Sequence, residues 1–365
     1  MQTRTSEQAP SKQPTPSLTA LTVAGAFARA LEMGYGDWFG KEDLQLTNKM
    51  VAAAMQHEPA VWKRGIINTF FVIPYTWQRA FFSNLVMNGY DTHIMMRKLM
   101  IKEHIHAAIH ERGITQVVFL GGGYDVRSLI AARQNPGVKF YEIDRGDTRK
   151  FKMQVLDELA ADAGQQLFIE NLSDGSKIVN GNLSYIHCDL SRENLEATLQ
   201  EHGYDPAQKC LVIAEGLTMY LSRESMDEMM KSLMALLHDQ DEIMLSFASS
   251  QGDGSKIATA ARQLNSEQYR FSLNPEAVCD FTNTYGFAVA GKFNHTEFYK
   301  HAGDNDLSDF YQQNPTVHRE TYYFLRRSDL VLENRQEDIA QVSDIKLIIP
   351  AKDNDPRPVM SCQIL

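Results

Sequence analysis

A doubly wound α/β fold, with a mostly parallel seven-stranded sheet and an N-terminal helical lid, is the architecture this sequence predicts. Three observations carry that expectation. From Asp91 onward, short β-rich runs alternate with helical patterns, which is the rhythm of βαβ units. One such run, QVVFL at 116–120, feeds directly into the glycines Gly121, Gly122 and Gly123 and then into a helix-like stretch. Ahead of this, residues 18–56 follow a helical pattern with Ala- and Met-rich stretches.

Taken in order, residues 1–17 are polar and proline-bearing and read as a disordered tail. The lid occupies 18–91. Its second half is rich in aromatics (Trp62, Phe70, Phe71, Tyr75, Trp77, Phe81, Phe82, Tyr90), as expected of a small helical subdomain packed on a larger one, although such rings also suit the wall of a substrate pocket. The main domain takes 92–332. It starts with a helix over Asp91–Arg112 that stops at Gly113. Strands are expected at 116–120, 139–143, 183–188, 210–214, 242–248, 288–294 and 321–326, the last two as a terminal antiparallel pair. The clearest helix is N-capped by Ser222 and carries Met226, Met229, Met230, Leu233 and Leu237 at helical spacing. Residues 160–182 look like an insertion, and 333–365 like a C-terminal extension ending in a flexible tail.

The chain has 365 residues, 43% of them hydrophobic, enough for one substantial core with an attached subdomain. With 36 basic against 46 acidic residues the net charge is −10. That balance argues against nucleic acid as a partner and against broad adsorption to anionic membranes. No secretory leader and no apolar run of spanning length is visible, and the cysteines (188, 210, 279, 362) form no CxxC pair. A reducing, cytoplasmic setting is therefore expected. The final Cys362-Gln363-Ile364-Leu365 has the form of a prenylation signal, the one route to a membrane the sequence offers; the plainer reading is an ordinary tail.

The chemistry concentrates at strand ends. A glycine turn after a strand lets backbone approach a ligand, though a tight connection alone also explains one. Asp144 ends the next strand, twenty-one residues after Gly123, where a carboxylate grips the two hydroxyls of a ribose. A dinucleotide fingerprint needs glycine where this chain has Val126, and Asp125 would repel a pyrophosphate but suit a cationic cofactor bearing an ammonium and a sulfonium. The loop therefore favours S-adenosylmethionine over a nicotinamide. The third main strand ends at Asp189-Leu190, where the acid either accepts from an adenine amino group or caps the helix after Ser191. The fourth runs into Glu215-Gly216, followed by Met219-Tyr220, a position for contact with the cofactor or the reacting group.

These pieces, LGGGYDVR, FYEIDRGDTRKFK, HCDL and LVIAEGLTMYLSRESMDEMM, resemble the leucine carboxyl methyltransferase family, including its bacterial polyketide carboxyl O-methyltransferase branch, over roughly residues 18–330. The resemblance implies a class I, Rossmann-like methyltransferase with S-adenosylmethionine as cofactor and S-adenosylhomocysteine as product. Arg97 in MMRKLMIKEHI would pair with the methionyl carboxylate, and Gly121, Gly122, Gly123 and Asp125 would border the methionyl part. Asp144 would hold the ribose, Asp189 and Leu190 the adenine, and Glu215 with Gly216 the cofactor's amino end. Arg29 on the lid is a weaker match. Gly122 stands where the family usually has Ala or Thr, and Val126 where Thr is frequent.

What the resemblance implies mechanistically is in-line methyl transfer, most simply to a carboxylate on a small molecule or a protein terminus. Such a group is already ionised at neutral pH and needs no base. No residue stands out as a base for a phenol or amine. Glu215 and Tyr220 are the candidates beside the reacting groups, while Tyr124 and Tyr220 equally suit packing over the loop. His104, His106 and His110 lack an evident third ligand, so no metal is expected and a solvated helix face is the plainer reading. Two other classes stand against the enzyme: a non-catalytic adenosylmethionine-fold scaffold, and a nicotinamide oxidoreductase that Val126 disfavours.

Overall fold

A computed structural model describes residues 18–31, 39–57, 90–144, 146–161, 167–190, 193–249, 269–294 and 320–327. The N-terminal tail, the aromatic cluster from Trp62 to Phe82 and the Cys362 motif lie outside the described residues.

The lid contributes α1 (Leu18–Ala30) and α2 (Lys41–His57), and α3 (Tyr90–His110) leads into the sheet. Then follow β1 (Gln116–Leu120), α4 (Arg127–Gln134), β2 (Lys139–Asp144), α5 (Gly146–Ala161), β3 (Ile169–Asn171), β4 (Lys177–Val179), β5 (Leu183–His187), α6 (Leu195–Glu201) and β6 (Cys210–Ala214). A 3₁₀ turn at Thr218–Tyr220, α7 (Arg223–Leu236), β7 (Glu242–Ala248), α8 (Pro275–Thr284), β8 (Phe287–Phe293) and β9 (Glu320–Arg327) complete the described elements. All seven strands expected from the sequence form.

Among the described residues the sheet has nine strands, in the order β3-β4-β5-β2-β1-β6-β7-β9-β8. The five central strands, β5-β2-β1-β6-β7, run parallel. The last two pair antiparallel with each other, and β9 pairs antiparallel with β7. The chain lays β1, β2 and β5 to one side and then returns to place β6 and β7 on the other, so the switch point lies between β1 and β6.

The two strands beyond seven come from the insertion, which is not a plain loop. Residues 167–182 fold into β3 and β4, an antiparallel edge added next to β5. The turn between them is local chemistry: Asp174 accepts from the Ser176 amide at 2.9 Å, and Gly175 takes φ +82°. A second turn, with Asn180 and Gly181 both at positive φ, returns the chain to β5.

Alternation along β1 divides the core. Val117 and Phe119 join the apolar layer beneath α1 to α5, while Val118 and Leu120 join the opposite layer with α7 and α8. In α7, Ser222 caps the helix by accepting from the Ser225 amide, and Met226, Met229, Met230 and Leu233 are fully buried. The lid is anchored by charge as well as by apolar packing. Arg127 lies over the rings of Phe27 and Phe39 and donates to Asp43 of α2 at 2.8 Å.

The histidines of α3 do not share one solvated face. His106 and His110 are exposed, but His104 is buried against Phe324 and 3.4 Å from Glu242. No group of three potential metal ligands exists among the described residues. Glu242 also receives Arg112 at 2.6 Å and Arg326 at 3.3 Å. Burial pushes its carboxyl up, yet His104 and Arg112 outweigh that and hold it at about 2. A carboxylate depressed on folding adds stability above its unfolded range, and that stability is lost as pH falls toward the folded value. Glu242→Gln is therefore expected to cost about 3 kcal/mol at pH 7 in urea unfolding, with the gap closing between about pH 4.5 and pH 2. A gap independent of pH would refute the assignment.

Candidate functional site

The switch point opens into a cavity of about 400 Å³. Its floor is the turn after β1, where two of three glycines are required by conformation and one by space. Gly121 and Gly123 adopt φ +72° and +55°, left-handed values that side chains resist. Gly122 is not left-handed, but a Cβ there would lie 2.4 Å from the carboxyl carbon of Glu142. Where the family resemblance leads one to expect Ala or Thr, the Glu142 carboxyl fills the space instead. Glu142 is buried, takes 2.5 and 2.6 Å bonds from Ser128 and Lys152, and is pushed up by burial against the pull of Lys152.

Asp144 closes the turn from the side, its Oδ2 accepting from the Gly123 amide at 2.9 Å. Across the switch point, Gly216 takes φ +62°, which leaves room for the guanidinium of Arg97, 3.3 Å from where a Cβ would stand. Lid helix α1 covers the opening, with Ala20, Val23 and Phe27 on the cavity wall.

A buried network of charges runs along the wall formed by α3. Arg97 pairs through Nε with Glu215 and through one terminal nitrogen with Glu320, at 3.2 Å in the second case. Lys98 bridges Asp125 and Glu215 at 2.5 Å to each. His93 stands 3.1 Å from the same Glu320 oxygen that Arg97 uses. Burial pushes the carboxyls of Asp125 and Glu320 up, but their partners dominate: Lys98 and Arg127 hold the first, and Arg97 with the His93 hydrogen bond the second, well below the ordinary range.

The cavity thus brings together Arg97, Gly121, Gly122, Gly123, Asp125, Asp144, Glu215, Gly216 and Tyr220. Asp189 and Leu190 sit past the end of β5 and are not part of its lining. The capping role open to Asp189 falls to Asn194, which accepts from the Ala197 amide. Tyr124 both lines the cavity and packs on Phe151, and Tyr220 meets Tyr269 edge to face. Arg29 lies in α1, and its side chain is outside the described residues.

Sequence reasoning missed Lys98, His93, Glu142 and Glu320. The first two had a visible signal: Lys98 is adjacent to Arg97, and His93 precedes it by four residues on one helix. Glu142 sits two residues before Asp144 on β2, and so on the same face of the strand. Glu320 had no local signal, because only the pairing of β9 with β7, which sets Glu320 opposite Ala248, brings it to the site.

Residues 75–234 match the family model described as leucine carboxyl methyltransferase, a span that contains the glycine turn, Asp144 and the Glu215 segment. This region belongs to the leucine carboxyl methyltransferase family. A protein of Mycobacterium tuberculosis, assigned by name to the S-adenosyl-L-methionine-dependent methyltransferases, is 27% identical over 185 residues, 49% of this chain and 48% of its own length. A similarly named protein of Mycolicibacterium smegmatis is 31% identical over 124 residues, 34% of this chain and 36% of its own. The chain thus spans about half or less of the curated relatives it matches. A crystal structure of a methyltransferase from Thermobifida fusca shares the fold, with TM-score 0.50 and 12% identity over 87% of this chain and 96% of that one. The family region supplies the cavity's floor and its α3 wall, whereas α1 and Glu320 come from outside it.

Proposed function

We propose that this protein is an S-adenosylmethionine-dependent methyltransferase acting on an oxygen acceptor, most simply a carboxylate on a small molecule or protein terminus. One observation carries the reading: a glycine turn, a strand-tip aspartate and an Arg–Glu pair converge on a single cavity at the switch point of a doubly wound sheet. The donor set fits the cofactor's chemistry. Arg97 offers a guanidinium to a carboxylate, Glu215 and Asp125 offer charge to an ammonium, and Asp144 offers oxygens to a ribose diol. Bound there, S-adenosylmethionine supplies an electrophilic methyl carbon on a sulfonium. The chain's part is then to orient, to exclude water beneath α1, and to admit the acceptor past Tyr220, Tyr269 and Arg270. Arg270 gives that side a cation suited to an anionic acceptor. The three cysteines among the described residues are free thiols, which suits the reducing, cytoplasmic setting we infer.

Isothermal titration with S-adenosylmethionine and S-adenosylhomocysteine is the first test, with Asp144→Ala alongside. Micromolar binding by the wild type, weakened at least about tenfold in the variant, is expected for loss of a charge-assisted contact. A well-folded wild type that binds neither ligand overturns the enzymatic reading and leaves a scaffold with a methyltransferase fold.

A further inference from the structure

Each acid on the cavity wall already has a partner from the chain itself. Among the described residues five carboxylates line the cavity. Glu142 is held by Lys152 and Ser128, and Asp144, the residue read as the ribose grip, accepts from the Gly123 amide. Glu320 gives one oxygen to Arg97 and His93, and its other oxygen is buried away from the solvent of the cavity. That leaves Asp125 and Glu215, the two acids whose charge suits the amino end of the cofactor.

These two share one donor. Lys98 Nζ stands 2.5 Å from Asp125 Oδ2 and 2.5 Å from Glu215 Oε1. The second oxygen of Asp125 accepts from the Arg127 amide at 2.9 Å, and the Glu215 oxygen that Lys98 uses also takes Arg97 Nε. Lys98 is 3% exposed, so its ammonium has exchanged water for these two acids. A lysine ammonium and the amino end of an amino acid are the same chemical group, a cation with three donors and no acceptor. A second ammonium brought to the same acids finds their oxygens already bonded and meets the like charge of Lys98.

We propose that Lys98 is a specificity-determining residue that takes the place of the cofactor's own ammonium between Asp125 and Glu215. The amino-acid end of the cofactor is then recognised through its carboxylate, by Arg97. This rests on the reading of the cavity as an S-adenosylmethionine site. Hydrogen bonds between charged groups are the strong ones, but a bond already made inside the protein is not gained again on binding. The amino group of the cofactor therefore adds little affinity. Its carboxylate, opposite in charge to both Arg97 and Lys98, adds much. The consequence is a site that tolerates loss of the amino group and not loss of the carboxylate.

The test is isothermal titration of the full chain with three probes: S-adenosylhomocysteine, its analogue without the amino group, and its analogue without the carboxylate. The wild type is expected to bind the first two within about threefold of each other and the third at least about tenfold more weakly. Lys98→Met strips the ammonium from the two acids, and is expected to prefer S-adenosylhomocysteine over the analogue without the amino group by at least about tenfold. Lys98→Arg keeps a cation between the acids and is expected to retain the tolerance of the wild type. A wild type that loses about tenfold or more on removal of the amino group overturns the proposal, because Lys98 then yields its place to the ligand. That comparison needs no variant, so it decides the matter even where Lys98→Met does not fold. A folded Lys98→Met that stays indifferent to the amino group overturns it as well. Failure of the wild type to bind any of the three is a separate result, which removes the assignment of the cavity itself.

Discussion

Gly122→Ala is expected to weaken S-adenosylmethionine binding by more than about a hundredfold while the protein still folds. The added methyl has nowhere to go: its carbon would lie 2.4 Å from the carboxyl carbon and one oxygen of Glu142, closer than atoms approach. Glu142 has no easy retreat either, because Ser128 and Lys152 hold its two oxygens and the residue is 3% exposed. The turn must therefore shift, and with it Gly123, whose amide fixes Asp144. Losing the charge-assisted contacts of Asp144 to a bound ligand costs about 1.5–3 kcal/mol, which reaches a hundredfold in affinity. Overpacking of this kind costs about 1–3 kcal/mol of stability. Gly137→Ala is the control, since a Cβ there meets nothing within 4 Å. Titration calorimetry and urea unfolding on both variants decide the matter. Affinity within threefold of wild type for Gly122→Ala would show that the turn does not hold the cofactor.

How much of this was legible in the sequence depends on the range over which each feature is determined. The glycine turn, Asp144 and the capped helix after Ser222 are local, set by residues within a few positions of one another, and each lies where the sequence put it. The parallel centre of the sheet followed from alternation of strands and helices. The two strands inside the insertion were not foreseen because β3 and β4 are three residues each, too short to show a period. Glu142 escaped notice because an acid inside an apolar strand reads as half-exposed until its partners Ser128 and Lys152 are brought beneath the turn. The burial of His104 depends on Glu242 and Phe324, more than a hundred residues away. Glu320 is the extreme case, since its partner Arg97 lies 223 positions earlier. Charge networks closed by long-range strand pairing are invisible to any window-based reading, and this site is built from one.

Lys98→Met is expected to be the most damaging single change to that network. Lys98 is buried and stands between Asp125 and Glu215. Removing it leaves two buried carboxylates, Glu215 with Arg97 and Asp125 with the more distant Arg127, and breaking a buried pair in this way costs about 3–5 kcal/mol. The pH dependence gives the effect its signature. In the wild type the Asp125 carboxyl is depressed, so it adds stability above the unfolded carboxylate range, and that stability is lost as the solution is acidified. Without Lys98 the largest lowering influence on Asp125 is gone, leaving Arg127 and Lys152 alone against burial, so its carboxyl is less depressed than in the wild type and the variant has less stability to lose on acidification. The gap between wild type and Lys98→Met in urea unfolding is therefore expected to hold at neutral pH and to narrow as the pH falls below about 4, through the carboxylate range. Lys98→Arg keeps the charge and should retain most of the stability, and adding Glu215→Gln to Lys98→Met should restore part of what was lost by removing one of the stranded charges. A variant within about 1 kcal/mol of wild type at pH 7 would mean that the two carboxylates reach water in solution and that the wall of the cavity is not the dry, charge-paired surface on which cofactor recognition here depends.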